Sequence, residues 1–266
     1  SSNLKFNMDK IKKLQQIRNK LQSGQTSIGT WMQIPNSSVA EIISNAGYDW
    51  VTIDLEHGSF SLQELPNIFR AIEMTNTLPL ARLVSGRASE CSQVLDAGAG
   101  GLIIPKVNSK EQLENIISYS SYPPHGNRGV GYSRANLFGV NIKKVIKGQT
   151  QPLIIAQIEH FTGIENLNEI ISVENLDALF IGPYDLSASL GITGDFNNNI
   201  FKDAMETFKN TCKKLSMPYG IHVVEPKVDE LNQKIQEGYN FIAYSTDAYF
   251  LYQSSLCPPT LNKEKI

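Results

Sequence analysis

The chain has 266 residues, of which 41% are hydrophobic and 19% charged, and its formal net charge is -2. This composition is ordinary for a folded globular protein and excludes a disordered chain. The slightly negative charge supplies no basic field for a nucleic acid backbone, so a nucleic acid partner is not expected. The length fits a single α/β barrel domain.

The cysteines, Cys91, Cys212 and Cys257, lie far apart and form no Cys-x-x-Cys pair. Their spacing excludes a zinc ribbon, argues against a disulfide framework and predicts a reducing, cytoplasmic location. No apolar run approaches the roughly 18 residues of a membrane span, and the N-terminus lacks the apolar middle of a signal peptide. We therefore expect a cytoplasmic protein that has no membrane partner.

Short apolar runs alternate with amphipathic stretches along the chain. An N-terminal helix is predicted over 8–21, followed by strands at 27–33, 50–55, 79–84, 101–107, 153–159, 178–182, 218–224 and 241–245. Amphipathic periodicity predicts further helices at 38–45, 61–74, 88–97, 109–119, 163–173, 201–215, 225–237 and 248–256. The helices at 61 and 109 begin with capping-box signatures, and residues 122–138 are expected to be irregular.

Eight apolar strands, most of them followed by a helix, indicate a parallel sheet buried on both faces. At this length a closed (β/α)8 barrel is the leading prediction, and an open doubly wound sheet is the alternative. Residues 1–266 are predicted to form one barrel domain. Residues 1–7 are left as a candidate tail, either disordered or foreign to the native chain.

Polar side chains lie at the ends of the predicted strands, where a barrel gathers its catalytic residues. A buried charge is costly without a partner, so a salt bridge or a helix cap is the ordinary explanation for any one of them. Their recurrence at one mouth predicts a shared site instead. The residues are Asp54, His57, Arg82, Lys106, Gln157, Glu159, Asp185, His222 and Asp247.

The residue types indicate the chemistry of this site. Glu159 and Asp185 are the predicted metal ligands, because two carboxylates suit Mg²⁺ or Mn²⁺, which keep water and accept further oxygens from a substrate. Arg82 offers a planar fork for a carboxylate or enolate oxygen. His57 is predicted to be a base that Asp54 orients.

Six segments in a fixed order carry a resemblance to a known family. They are Val51-Thr-Ile-Asp-Leu-Glu-His57, Arg82, Pro105-Lys-Val107, Tyr122-Pro-Pro-His-Gly-Asn-Arg-Gly-Val-Gly131, Gln157-Ile-Glu159 and Gly182-Pro-Tyr-Asp-Leu-Ser187. Over residues 22–250 the chain resembles the HpcH/HpaI aldolases. These are metal-dependent, pyruvate-specific (class II) aldolases that act on 2-oxo-4-hydroxy acids.

The resemblance implies a modified (β/α)8 barrel whose last helix is exchanged with a neighbouring subunit, in a homohexamer or trimer of dimers. It implies Mg²⁺, Mn²⁺ or Co²⁺ as the cofactor, no organic cofactor, and pyruvate and an aldehyde as small-molecule partners. The aldehyde is left open, as is the choice between 4-hydroxy-2-oxoheptanedioate and a 2-oxo-3-deoxy sugar acid as the cleaved substrate.

The resemblance also assigns site residues. It gives catalysis to His57, Arg82 and Asp54, and metal binding to Glu159 and Asp185. Further matched positions would contact substrate: they are Gln157, Gly182, Pro183, Ser187 and Asp96, the last reaching across a subunit contact. Trp31 is a further predicted contact for the aldehyde. Lys106 and His160 depart from the residue types usual in the family.

Three alternatives remain open at this stage. The first is a Schiff-base aldolase that uses Lys106 as its nucleophile. The second is an enzyme like citrate lyase that acts on a coenzyme A thioester. The third is a barrel that binds a small oxo acid without catalysis.

Overall fold

A closed barrel of eight parallel strands forms the centre of the protein. The computed structural model describes residues 2–147 and 151–256. Neighbours in the barrel follow chain order, and the last strand pairs with the first. The strands are β1 (Ser27–Met32), β2 (Trp50–Asp54), β3 (Leu78–Arg82), β4 (Gly101–Ile104), β5 (Leu153–Ile158), β6 (Ala178–Ile181), β7 (Tyr219–Val223) and β8 (Phe241–Thr246).

Helices connect the strands and cover the outside of the barrel. They are α1 (Ser2–Gln22), α2 (Ser37–Ser44), α3 (Leu65–Glu73), α4 (Ala88–Ala97), α5 (Lys110–Ser120), α6 (Ile142–Ile146), α7 (Phe161–Glu165), α8 (Leu167–Ile171), α9 (Pro183–Ser189), α10 (Asn199–Lys214), α11 (Val228–Gln236) and α12 (Asp247–Ser255). The predicted (β/α)8 barrel is confirmed, and the open-sheet alternative is wrong. In the part of the chain that the structure describes, no helix is long and apolar enough to cross a membrane.

The interior of the barrel is filled by the inward-facing residues of alternate strand positions. Trp50 of β2 stacks on Phe241 of β8 with ring centroids 4.4 Å apart. These two rings belong to a buried cluster that also contains Leu78, Leu80, Ile103, Leu153, Ile155 and Phe180. A ligand therefore cannot pass through the barrel, and chemistry is confined to its ends.

Helix α1 closes one end of the barrel. Its buried side chains Leu14, Ile17 and Leu21 belong to the same cluster as the interior of the barrel. Lys20 pairs with Asp49 at 2.7 Å, and Arg18 pairs with Asp177 at 2.8 Å. Because Asp49 and Asp177 directly precede β2 and β6, these ion pairs fix the helix at the amino-terminal ends of the strands. The other end of the barrel remains open for a site.

The cysteines that the structure describes are unpaired, as the sequence predicts. Cys91 and Cys212 are free and buried between the strands and the outer helices. Burial raises the pKa of the Cys91 thiol to about 11, so it is protonated near neutral pH. Cys257 lies outside the described residues. The cytoplasmic location inferred from the cysteines stays a prediction.

Helices α1 and α3 differ most from their predicted starts. Helix α1 begins at Ser2, so most of the candidate tail is helical. The helix predicted from residue 61 begins at Leu65. The N–H and hydroxyl of Ser61 both donate to the carboxylate of Glu64, at 2.7 and 2.8 Å, but residues 62–64 form a turn. Pro66 suits the first turn of a helix because it needs no hydrogen-bond partner for its nitrogen.

Three further differences concern segments that shape the open end. Strand β4 ends at Ile104 and not at 107, because Pro105 has no N–H and Lys106 takes a left-handed φ of 53°. The helix predicted at 163–173 is split into α7 and α8 at Asn166. Helix α9 was not predicted, although Pro183 at its first turn is a typical start signal.

The contact between Gly29 and Trp50 gives a test of the interior packing. A methyl group added at Gly29 would lie 2.0 Å from the indole of Trp50. We expect Gly29→Ala to lower the free energy of unfolding by about 1–3 kcal/mol, measured by urea denaturation. The control Gly129→Ala meets no atom within 4 Å and should change it by less than about 0.5 kcal/mol. Equal urea midpoints for the two variants would contradict this packing.

Candidate active site

A cavity of about 900 Å³ lies at the carboxyl-terminal ends of the strands. Its lining comes from strand ends and from the loops and helices that follow them. Among its members are the predicted residues Trp31, Asp54, His57, Arg82, Gln157, Gly182, Pro183 and Asp185. The barrel therefore brings together residues that are up to 154 positions apart between Trp31 and Asp185.

A buried ion pair joins two neighbouring strands at this mouth. Asp54 of β2 is in register with Arg82 of β3, and both side chains are buried. Nε and Nη2 of Arg82 donate to the two carboxylate oxygens of Asp54 at 2.9 and 2.8 Å. Burial opposes ionisation of Asp54, but the hydrogen bonds and charge of Arg82 outweigh it and keep the pKa below its usual value. This carboxylate therefore serves to hold the guanidinium.

The predicted contact between Asp54 and the imidazole of His57 is not formed. Asp54 accepts the backbone N–H of His57 at 3.1 Å and a side-chain N–H of Gln33 at 3.1 Å. With Arg82 also bound, its oxygens are occupied. The His57 side chain is exposed at the cavity, and its ring forms no hydrogen bond within the described residues. Strand register decided the partner of Asp54, whereas the prediction relied on proximity in sequence.

Arg82 has two other neighbours. Its guanidinium carbon lies 4.1 Å from the centroid of the Trp31 ring, a cation–π contact. Its Nη1 lies 3.4 Å from a carboxylate oxygen of Glu56, which also pairs with Lys106 at 2.8 Å. The sequence predicts no role for Glu56, which appears there only within the segment Val51–His57. Its position between Asp54 and His57, just past a strand, is the signal that marks it.

Glu159 is a buried carboxylate with polar contacts on both oxygens. It accepts the backbone N–H of Lys106 at 2.8 Å and a side-chain N–H of Gln157. Burial raises its pKa to about 7, helped by the charges of Glu56 and Asp185 and opposed by the Lys106 N–H and Arg82. The left-handed backbone of Lys106 thus serves to aim an amide at this carboxylate.

A glycine allows the strands to approach at Glu159. A methyl group at Gly182 would lie 2.9 Å from Cβ and 3.0 Å from a carboxylate oxygen of Glu159. The chain turns there into α9, whose first turn carries Asp185 with an exposed side chain. Gly182 and Asp185 both line the cavity, so the Glu159 carboxylate lies directly behind its wall.

The donor set around Glu159 fits a hard divalent cation. Within the described residues, no group of three or more His, Cys, Asp or Glu side chains is arranged to hold a metal. Mg²⁺ needs fewer protein ligands, because it keeps several waters and takes oxygens from its substrate. The mutual repulsion of Glu159, Asp185 and Glu56 is relieved by a cation. Oε1 of Gln157 is buried and lacks a hydrogen-bond partner in the described part of the chain.

Two predicted substrate residues lie away from the cavity lining. Ser187 is fully buried; its hydroxyl donates to the carbonyl of Tyr184 at 2.7 Å and accepts the N–H of Gly194 at 2.9 Å. Its role here is to hold the turn around α9. Asp96 binds Arg128 at 2.5 Å and accepts from Ser133 at 3.2 Å. Its predicted reach across a subunit contact stays a prediction.

Three other residues from the prediction have local roles. Asp247 accepts two backbone N–H groups after β1, those of Gln33 at 2.8 Å and Ile34 at 2.9 Å, and so ties α12 to the mouth. His160 caps α7 by accepting the N–H of Thr162 at 3.2 Å. His222 lines the cavity and stacks on Trp31.

Comparison with known proteins agrees with this architecture. The family model described as HpcH/HpaI aldolase/citrate lyase matches residues 27–253. A 2-keto-3-deoxy-L-rhamnonate aldolase of Escherichia coli O17:K52:H18 is 35% identical over 90% of this chain and 89% of its own length. A protein of the same name from Klebsiella pneumoniae is 35% identical over 88% of this chain and 87% of its own length.

Solved structures give the same result. An HpcH/HpaI aldolase/citrate lyase family protein from Burkholderia cenocepacia J2315 superimposes with a TM-score of 0.85 and 28% identity, over 90% of this chain and 96% of the other. These matches confirm the predicted family, the barrel and the class of enzyme, a carbon–carbon lyase of the aldolase type. The chain belongs to the HpcH/HpaI aldolase/citrate lyase family.

Proposed function

We propose that the protein is a divalent-metal-dependent aldolase that reversibly cleaves a 2-oxo-4-hydroxy acid to pyruvate and an aldehyde. A 2-oxo-3-deoxy sugar acid is the favoured substrate class, because relatives that are 35% identical are named 2-keto-3-deoxy-L-rhamnonate aldolases. The proposal rests on one cavity that is lined by a fixed arginine, Arg82, and by Asp185, with the buried carboxylate of Glu159 directly behind its wall.

Glu159 and Asp185 are the residues that would hold the metal. When bound, a divalent ion supplies positive charge beside the oxygens of the oxo acid and so favours the enolate that cleavage produces. The choice among Mg²⁺, Mn²⁺ and Co²⁺ stays open, since two carboxylates suit each of them. Gln157 contributes a buried carbonyl oxygen beside Glu159 that can accept from a water or a hydroxyl.

Arg82 is proposed to bind the oxo-acid end of the substrate. Asp54 accepts from its Nε and Nη2, and Nη1 lies 3.4 Å from a carboxylate oxygen of Glu56. The guanidinium has five N–H groups, so those that these carboxylates do not engage can serve oxygens in the cavity. Because Asp54 and Trp31 already fix the guanidinium, it need not reorganise as negative charge develops on the substrate. Gly182 and Pro183 form the adjoining wall.

His57 is proposed to carry the proton. It takes the proton of the 4-hydroxyl group while the C3–C4 bond breaks, and C4 becomes the carbonyl carbon of the aldehyde. The bonding electrons pass to the oxo-acid half as pyruvate enolate, which then accepts a proton at C3. The imidazole is exposed, lines the cavity and is not bound by Asp54, so it is available for this transfer.

A homo-oligomer, either a hexamer or a trimer of dimers, is also proposed. The last helix, α12, and the residue that follows it carry large apolar side chains that are more than half exposed: Leu251 and Tyr252 in the helix, and Leu256 after it. A neighbouring copy that exchanges this helix would cover them. In such an assembly Asp96, whose side chain is 39% exposed, is proposed to reach the neighbour's cavity.

The alternatives are less well supported. Lys106 is 62% exposed, and its hydrogen bond and ion pair with Glu56 raise the pKa of its ammonium group. A Schiff-base lysine needs a lowered pKa, so this environment disfavours it. The thioester enzyme and the inactive barrel gain no support from relatives that are named aldolases.

The proposed role of Arg82 can be tested by replacing its guanidinium group. We expect Arg82→Lys, which keeps the charge beside buried Asp54, to lower kcat for aldol cleavage by about 10²–10³-fold, as loss of one oxyanion donor does. The control Arg70→Ala removes an exposed arginine that binds Asn67 in its own helix, and it should keep native turnover. Near-native turnover of Arg82→Lys, with circular dichroism matching wild type, would contradict the role of Arg82.

Metal binding can be measured without turnover. Mn²⁺ titration followed by electron paramagnetic resonance should give one site per chain, and EDTA should abolish cleavage. We expect Glu159→Gln and Asp185→Asn each to weaken Mn²⁺ by at least about 100-fold, because loss of outer partners alone costs about 10–100-fold. Glu169→Gln, in an exposed position of α8, should bind as wild type does. Unchanged affinity in both site variants would refute this metal site.

Lys106 can be tested directly as a nucleophile. Because Glu56 keeps its amine protonated, we expect pyruvate and sodium borohydride together to leave the mass of the protein unchanged. Mass spectrometry of the intact chain checks this outcome. A reduced pyruvate adduct mapped to Lys106 would establish the Schiff-base alternative.

A further inference from the structure

We propose that His222 is a specificity residue whose Nδ1 accepts a hydrogen bond from a hydroxyl group on the aldehyde half of the substrate. This inference rests on the proposed aldolase function and extends it to the aldehyde end of the cavity. It assigns hydroxylated aldehydes as the preferred acceptors for pyruvate in the reverse, carbon–carbon bond-forming reaction.

The position of His222 places it within reach of a substrate bound at Arg82. It belongs to β7 and lines the cavity, and its ring stacks on Trp31 with centroids 5.3 Å apart and an interplanar angle of 11°. The guanidinium of Arg82 lies against the same indole, 4.1 Å from its centroid. A substrate with its oxo-acid end at Arg82 therefore extends its other end along Trp31 toward β7.

The hydrogen bond of His222 to the backbone defines which nitrogen can accept. Its Nε2 lies 3.1 Å from the carbonyl oxygen of Ser245, and since a carbonyl only accepts, Nε2 carries the proton. Burial lowers the pKa of His222 to about 4, with the charge of Arg82 acting in the same direction, so the ring is neutral near pH 7. Nδ1 is then an acceptor, and it has no protein partner among the described residues.

Two lysines that line the cavity, Lys227 and Lys234, pair with carboxylates. Lys227 pairs with Glu225 at 2.5 Å, and both side chains are about half exposed or more. Lys234 pairs with Glu237 at 3.3 Å. The cavity lining also includes the apolar side chains Phe180 and Ile221. An unpaired acceptor in this lining favours a hydroxylated aldehyde over one without the hydroxyl group. When the hydroxyl is missing, the acceptor is desolvated and left without a hydrogen-bond partner.

Two acceptor aldehydes that differ by a single hydroxyl group test the assignment. With pyruvate fixed, we expect wild type to favour glycolaldehyde over acetaldehyde in kcat/KM, and His222→Leu to reduce that preference by about 10-fold or more. Its kcat/KM for acetaldehyde should stay within about 3-fold, since no hydrogen bond is lost. His222→Gln, which keeps an acceptor oxygen, should restore part of the preference.

Equal losses for both aldehydes would overturn the assignment, because that pattern indicates that His222 merely supports Trp31 and Arg82. An unchanged preference would also overturn it. If His222→Leu does not fold, His222→Met, which is of similar volume, takes its place. Exchange of the pyruvate methyl protons in D₂O, followed by NMR, separates the two proposals. Wild type without exchange or aldol product refutes the aldolase, whereas normal exchange with an unaltered aldehyde preference in the variant refutes only the role of His222.

Discussion

The buried pair between Asp54 and Arg82 is the interaction on which the site depends. It forms because β2 and β3 are neighbours in register, so two inward positions at the same height carry opposite charges. Buried ion pairs are weak contributors to stability, since desolvation offsets most of their attraction. Here the pair fixes the position of the Arg82 side chain. Two hydrogen bonds to Asp54 and the face of Trp31 hold the guanidinium, and some of its N–H groups remain for a ligand. An arginine held this way is ready for developing negative charge.

Around this pair, carboxylate side chains outnumber cationic side chains at the mouth of the barrel. Glu159 is buried between the Lys106 amide and Gln157, and the charges of Glu56 and Asp185 add to the cost of ionising it. Its pKa of about 7 means that near neutral pH the carboxyl is divided between its two forms. A divalent cation at the proposed site would reverse this balance, because it would favour the ionised forms of Glu159 and Asp185. Burial and neighbouring negative charge make the ionised form of Glu159 unfavourable by itself, and the same two features suit the carboxylate to the proposed role of metal ligand.

Much of this arrangement could be predicted from the sequence, and the exceptions have a common cause. Apolar runs and motif order predicted the barrel and the gathering of Arg82 with its neighbours at one mouth. The partner of Asp54 could not be read, because strand register and not sequence distance joins it to Arg82 instead of His57. Lys106 acts through a backbone N–H that its left-handed φ aims, which its charge does not reveal. The burial of Ser187 could not be read either, because helix α9, which contains it, was not predicted.

Trp31 connects the two halves of the proposed reaction. Below it the barrel is apolar and closed by α1, so a substrate cannot go deeper than this indole. Arg82 and His222 both lie against its ring, and these two residues come from β3 and β7, on opposite sides of the barrel. In the proposed reaction the substrate lies along this ring, with its oxo acid beside Arg82 and its aldehyde half beside His222. Because one ring contacts both residues, the spacing across Trp31 would define the substrate together with the proposed metal site at Glu159.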